Sequence, residues 1–514
     1  MSGGEELASR LEADYNFSLE LNMDTRNLID GGAHLEPAGV WSEFAGLNAI
    51  PRPSKKEEQI RAYLKNWLEV RGIAYREDSV GNLLAYKPAS PGCENSVPVV
   101  LQAHMDMVCQ QNEGTGHDFE REGIDMYVDN GWVRARGTTL GADNGMGLAM
   151  GLALLADSSA VHPPLELLIT VDEETGMTGA LGLETGWVQG KFLLNIDTED
   201  DRELTVGCAG GIDVTAEGTY TPSRIPSGYT GLELRLRGLT GGHSGMDIHL
   251  GRGNANVLSA RLLVALEEAA CILVAQWEGG SLRNALPREA KTVVAVASSH
   301  VQKALDCLAK VKDELTSEYL LTDSSLVLEW KEVDTPEWSL DPVLQGKLIR
   351  AVAAAPNGIL RMSPSIPGLV QTSNNVSKLE VGNGSASVQC LTRSSVDSEK
   401  MATAQALRGQ FALAGLDTHF AGSYPGWDPA PGGALASLMR DTYLSLFSEE
   451  PHVNACHAGL ECGIIGERCP GMEMISFGPT ITGAHSPDER VNISSVAKSF
   501  AFLVEVLKNV PTVQ

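Results

Sequence analysis

The chain has 514 residues, and 66 Asp plus Glu against 39 Lys plus Arg give a formal net charge of −27. That sign excludes a non-specific nucleic-acid binder, which needs cations to displace counterions from phosphate, and it argues against an anionic membrane surface as partner. No stretch approaches the roughly 20 continuous apolar residues of a membrane span, and 43% apolar with 20% charged residues describes an ordinary folded chain of several domains.

Residues 1–36 have weak periodicity and many polar side chains, and read as an acidic extension or a loosely docked helix. No basic region followed by an apolar one occurs there, so no signal peptide is expected. The nine Cys are scattered, odd in number and without a C-x-x-C pair, which predicts reduced thiols in a cytoplasmic protein. The first strong helix is predicted over 56–71, where Ile60, Tyr63, Leu64, Trp67 and Leu68 form one apolar stripe. Buried strands follow at Val97–Gln102, Leu165–Val171 and Phe192–Ile196, with a fourth at Met472–Phe477 and a helix near 144–157 between the first two.

Strands alternating with helices predict an α/β sheet flanked by helices, mixed but largely parallel. The middle of the chain reads instead as an inserted α+β domain. Strands near 230–237, 291–298, 326–332, 385–393 and 416–422 are interleaved with helices near 254–270, 301–319, 341–353 and 397–414. The insert is long enough for two small open-faced sandwiches and for a duplication, although no residue-level repeat is visible. The predicted organisation is an extension over 1–36, one domain from 37–211 and 423–514, and an inserted domain over 212–422, with a last helix near 493–509.

Each buried strand runs into potential metal ligands. His104 and Asp106 follow the first, Glu173 and Glu174 the second, Asp197 the third, and His485 the fourth after a Gly/Pro/Thr loop. Asp143 opens the helix near 144. Taken singly, a strand-end His is a hydrogen-bonded core residue, a loop Asp is a cap, and a Glu pair is a solvated face. Together they place five segments at one edge of a sheet, where α/β folds bind their ligands. Two His and three carboxylates suffice for two divalent ions with one carboxylate shared, and a metal pair activates water and clamps a substrate oxygen. Glu173, beside the ligand Glu174, is placed to be the base for that water, and Asp106 to orient the His104 imidazole.

The runs VVLQAHMDMV (99–108), RGTTLGADNG (136–145), DEETGMTGA (172–180), NIDTE (195–199), LTGGHSG (239–245), LRNALPREA (282–290), HAGLECG (457–463) and GPTITGAHSPDE (478–489) resemble the aminoacyl-histidine dipeptidases. These are also called cytosolic non-specific dipeptidases or peptidase D, and they belong to the co-catalytic zinc peptidase superfamily with peptidase V, peptidase T, carnosinase and aminoacylase. The resemblance spans about 38–510 and implies that 37–211 with 423–514 is a zinc-peptidase catalytic domain and 212–422 its lid domain. It implies one zinc on His104 and Asp197, a second on Glu174 and His485, Asp143 between them, Glu173 as general base and Asp106 behind His104. It also implies His243 as oxyanion stabiliser and Arg393 as the group binding the substrate's terminal carboxylate. Asn256, His457 and Glu461 read either as pocket lining or as core and capping residues. Asn144 matches the peptidase D type, where many relatives carry Asp or Lys, and relatives have a cis peptide after the shared Asp.

The expected activity is hydrolysis of dipeptides with a free amino terminus, Xaa-His included, through a hydroxide between two zinc ions. Mn²⁺ or Co²⁺ would suit the same donors. The competing readings are an aminoacylase-like hydrolase of N-acyl amino acids and an inactive metal-binding scaffold. The expected partners are small peptides, with no nucleic acid or membrane, and the expected state is a monomer or a homodimer in the cytoplasm.

Overall fold

The computed structural model describes residues 25–429 and 431–513. The chain divides into two compact units: one holds residues up to 206, 430–454 and 464 onward, the other residues 207–429 and 455–463.

In the first unit, six strands lie in the order Tyr75–Glu77, Leu83–Lys87, Leu165–Thr170, Val99–His104, Phe192–Asn195 and Glu473–Ser476. The last four of these run parallel, and the first two are antiparallel additions. The parallel core follows from the sequence. Val99–His104 and Leu165–Thr170 are buried along their whole length, as strands covered on both faces must be. Helix Glu58–Val70 buries the predicted stripe of Ile60, Tyr63, Leu64, Trp67 and Leu68. Helix Ala142–Ala156 is apolar nearly all round and lies against Val99–His104. Its Gly147 lets it approach the end of Phe192–Asn195 as well, because a Cβ there would stand 2.2 Å from the Ile196 carbonyl oxygen.

A second sheet in this unit has the order Ile29–Asp30, Met126–Asp129, Trp132–Ala135, Arg490–Asn492, Ile481–Thr482. The hairpin 481–492 is thereby anchored on Trp132–Ala135, with His485 near its tip. Residues 1–24 of the predicted extension lie outside the described residues. Its described part is firmly docked, not loose: Ile29 is buried and pairs with Met126.

The second unit is α+β. Its strand order is Val327–Val333, Tyr229–Arg237, Ala290–Ala297, Ile272–Gly279, Val370–Gly382, Ser385–Ser394, Gly210–Thr219, Asp417–Tyr424, with Gly358–Met362 paired to Val370–Gly382. The order contains a repeat. Tyr229–Arg237, helix Ala255–Ala269, Ile272–Gly279, Ala290–Ala297, helix Val301–Glu318 and Val327–Val333 form a βαββαβ module with spatial order 4-1-3-2. Gly210–Thr219, helix Pro342–Ala353, Val370–Gly382, Ser385–Ser394, helix Asp397–Leu413 and Asp417–Tyr424 form another with the same order. The two sandwiches join through their second strands, Trp277 opposite Val381, over one shared core. Alternation sets the faces: Leu232, Leu234 and Leu236 enter that core, while on the other face Glu233 pairs with Arg235 and Lys331, and Arg237 with Glu329.

Candidate functional site

The parallel strands end at the predicted cluster. His104 is the last residue of Val99–His104, and Asp197 follows Phe192–Asn195. Asp172 turns the chain after Leu165–Thr170 in the left-handed region, φ 50°, and so presents Glu173 and Glu174 at the start of a short helix. His485 also sits at positive φ, 63°. The Asp143–Asn144 peptide is cis, as the resemblance implied.

Asp143 stands at the centre. Its Oδ1 lies 3.2 Å from His104 Nε2, which is 3.6 Å from Asp197 Oδ1. Its Oδ2 lies 3.1 Å from His485 Nε2, which is 3.1 Å from Glu174 Oε2. Each oxygen of Asp143 therefore faces a separate imidazole–carboxylate pair. Both trios, and a third of His104, Glu173 and Glu174, have donor atoms within 4.8 Å of one another. The donor set fits two divalent cations. It is all imidazole nitrogen and carboxylate oxygen, the buried Glu174 Oε1 has no hydrogen-bond partner, and His104 turns its other nitrogen to Asp106 Oδ1 at 3.2 Å.

Asp106 is fully buried and also takes the Ser54 hydroxyl at 2.7 Å and the Glu173 and Glu174 N–H groups at 3.1 and 3.3 Å. One carboxylate thus aims the His104 ring and fixes the turn that carries Glu173. Burial would raise its carboxyl, but the bonds from His104, Ser54 and the Glu173 N–H outweigh it and hold the group below the usual range.

Four supporting residues have roles that the sequence does not reveal, although Asn144 is singled out there as a family match. Ser54 holds Asp106, as above. Asn144 donates to Asp197 Oδ1 and to the Ile196 carbonyl. The buried Arg52 donates to the carbonyls of Asp106, at 3.1 Å, and Gly141, at 2.6 Å. Glu489 accepts from the backbone of the turn before Asn144. Only Asn144 and Glu489 lie inside a quoted motif, and a motif does not say which of its residues face inward.

In the second unit, His243, Arg393 and His457 converge. A Cβ on Gly245 would lie 3.1 Å from His243 Cε1, 3.2 Å from Arg393 Nε and 2.2 Å from the His457 carbonyl, so glycine is needed where they meet. His243 Nδ1 accepts the N–H groups of Gly245 and Met246, at 3.2 and 3.0 Å. That fixes the tautomer with the proton on Nε2. Burial, and then the Arg393 charge, push the His243 imidazole down to about 4, so it is a neutral donor at physiological pH. Arg393 is buried, with Nη1 on the Tyr424 hydroxyl at 2.9 Å and Nε without a hydrogen-bond partner. His457 Nε2 pairs with Ser373 Oγ at 2.7 Å, and Glu461 is fully buried at the start of helix Glu461–Arg468. Asn256 makes framework bonds: its N–H goes to the capping Asn254 and its Nδ2 to the Val376 carbonyl.

A family model described as peptidase family M20/M25/M40 matches residues 100–509. The cytosol non-specific dipeptidase of Escherichia coli (strain K12) is 43% identical over 479 residues, covering 93% of this chain and 99% of that protein. The crystal structure of aminoacylhistidine dipeptidase from Vibrio alginolyticus superposes with a TM-score of 0.88 at 43% identity, over 94% of this chain and 98% of that one. Aminopeptidase PepT from Bacillus cereus ATCC 10987, at 15% identity and a TM-score of 0.54 over 93% and 99% of the two chains, shares the fold.

Proposed function

The chain belongs to peptidase family M20/M25/M40, and from that premise we propose that it is a metal-dependent dipeptidase cleaving dipeptides with a free amino terminus, Xaa-His among them. The observation that carries the metal reading is Asp143, whose two oxygens serve two separate His–carboxylate pairs. His104 and Asp197 would hold one divalent ion, Glu174 and His485 the other, and Asp143 both. Zn²⁺ suits these donors, as do Mn²⁺ and Co²⁺. Bound there, the cations supply Lewis acidity and a lowered water pKa.

The chain's own groups do the rest. The Glu173 carboxylate takes the proton of the attacking water and returns it to the leaving amine. Asp106 keeps the His104 ring and the Glu173 backbone in register. The resemblance gives His243 the developing oxyanion and Arg393 the substrate's terminal carboxylate. The Nε2–H tautomer of His243 and the unpartnered Arg393 Nε are donors suited to those tasks. His457 and Glu461 belong to the same reading as pocket lining, and Asn256 as a framework residue. The name of the Escherichia coli relative and the nine free thiols support a cytoplasmic location.

A panel of Gly-His, other dipeptides, a tripeptide and N-acetyl-Met, assayed with chelator and metal add-back, tests the proposal. Metal-dependent cleavage confined to dipeptides is expected. Preference for N-acetyl-Met, or activity indifferent to chelation, would overturn it. Replacing His243 by Ala should lower kcat by about 10²–10³-fold, and Gln, which keeps a neutral N–H donor, should lose less. Because burial pushes His243 down to about 4, its contribution should stay constant from pH 6 to 8 in a pH–rate profile of wild type against H243Q.

A further inference from the structure

The turn that carries Asp143 is held by a residue with no chemical role in the reading above. Glu489 lies four positions after His485 and is buried. Its Oε2 accepts the N–H groups of Leu140 and Gly141, at 2.7 and 2.9 Å. Its Oε1 accepts those of Ala142 and Asp143, at 2.7 and 3.2 Å. Three of them, on Gly141, Ala142 and Asp143, belong to the kinked opening turn of Ala142–Ala156, where N–H groups lack intrahelical partners. From the other side, Arg52 takes the Gly141 carbonyl. The turn is therefore gripped through its donors and its acceptor.

A buried carboxylate close to Asp143 is an expensive capping device. Burial raises its carboxyl, and the Asp143 charge adds to that, against the four N–H groups. A polar side chain of no charge would cap a helix adequately. What the carboxylate adds is linkage. The loop that carries His485 also carries the acceptor for the Asp143 turn, and His485 Nε2 and Asp143 Oδ2 face each other at 3.1 Å. The loop is compact in itself, with Glu489 N–H on the Ser486 carbonyl and Ser486 N–H on the Gly483 carbonyl.

We propose that Glu489 is a positioning residue that aims both oxygens of Asp143 and, through the His485 hairpin, makes the filling of the two cation sites interdependent. This rests on the dinuclear reading. Glu489 touches neither substrate nor cation; it acts through the turn.

The test uses full-length wild type, E489Q and E489D, stripped of metal and titrated with Zn²⁺ against a chromophoric chelator, with melting temperatures of stripped and loaded forms. A glutamine offers one acceptor oxygen, so half of the N–H groups lose their partner and face an NH₂ instead. E489D keeps the charge but falls one methylene short, and it decides alone if E489Q does not fold. Zn²⁺ binding weaker by about 10–100-fold, with the two binding events separated and with KM for Gly-His held while kcat falls, is the expected result. Affinity within about threefold of wild type, whatever the melting temperature does, would make Glu489 a structural cap only and overturn the proposal. The wild-type arm separates the two ideas. Wild type that binds no Zn²⁺ defeats the dinuclear reading, whereas wild type that binds and cleaves beside an equally tight E489Q defeats this inference alone.

Discussion

Replacing Glu173 by Gln should lower kcat for Gly-His by about 10²–10⁴-fold and leave both cation sites filled. The Glu173 carboxylate lies within 4.8 Å of the donor atoms of His104 and Glu174, yet it belongs to neither of the trios built on Asp143. Its backbone N–H is fixed on Asp106, so the substitution should leave the turn in place. An amide of the same shape cannot take a proton from water, and the expected loss corresponds to about 3–5 kcal/mol of transition-state stabilisation. Steady-state kinetics and elemental analysis of the same sample check it. An unchanged kcat would remove Glu173 from the mechanism, and a loss of bound metal would make it a ligand instead.

The second large effect should follow chelation. Activity should vanish, and the melting temperature should fall by about 3–5 °C for each site saturated at a hundredfold over its Kd, since such binding contributes about 2.7 kcal/mol. In the chelated protein the His104 and His485 imidazoles are the counter-charges in direct contact with the Asp143 carboxylate. Hydrogen bonds to Asp143 and then Glu174 push His485 up to about 11 from an ordinary 6.5. Its folded value is raised, so its stabilising contribution is complete below about 6.5 and is lost as pH rises through about 11. Cations, in turn, need that imidazole unprotonated and bind better as pH rises. Both statements describe the same proton, so the gap in melting temperature between loaded and chelated protein should widen from pH 6 to pH 9. A gap that narrows would contradict the assignment of His485 as a ligand.

How far the sequence could be read depended on whether a segment's task was apolar. The central strands were visible as apolar runs, and helix Glu58–Val70 buries the stripe that its spacing predicted. The first strand was expected to stop at Gln102 but continues to His104, because the functional residue interrupts the pattern without ending the strand. Val370–Gly382 was not foreseen. Gln371, Thr372, Ser373, Asn374 and Asn375 are all buried there, and their side chains are satisfied by Glu399, Ser394, His457, Pro356 and Ala285. A polar strand whose partners come from distant segments has no periodic signal. Ile272–Gly279 was missed for the opposite reason: it continues an apolar stretch from the preceding helix with a break of only two residues. The cluster of His104, Asp143, Glu174, Asp197 and His485 was legible because each lies at a strand end or inside a long motif. Arg52 and Glu489 act on backbone groups, and Ser54 on the Asp106 carboxylate, all far along the chain, and such pairings exist only once the fold does.

The paired sandwiches of the second unit have a consequence for how the chain assembles. The first module lies wholly inside the connection between the opening strand of the second, Gly210–Thr219, and that module's first helix, Pro342–Ala353. Gly210–Thr219 finds its neighbours only at Ser385–Ser394 and Asp417–Tyr424, so it must wait for most of the unit to be made. Each strand of the nested module has a partner within the module's own span, so the module can close early, and Ile272–Gly279 is left to pair outward with Val370–Gly382. Once it has closed, the long connection is no longer a flexible loop but a folded body, and the entropy of bringing the outer strands together falls accordingly. Nesting thus sets an order of events, inner module first and outer module second, that two sandwiches placed one after the other along the chain would not impose.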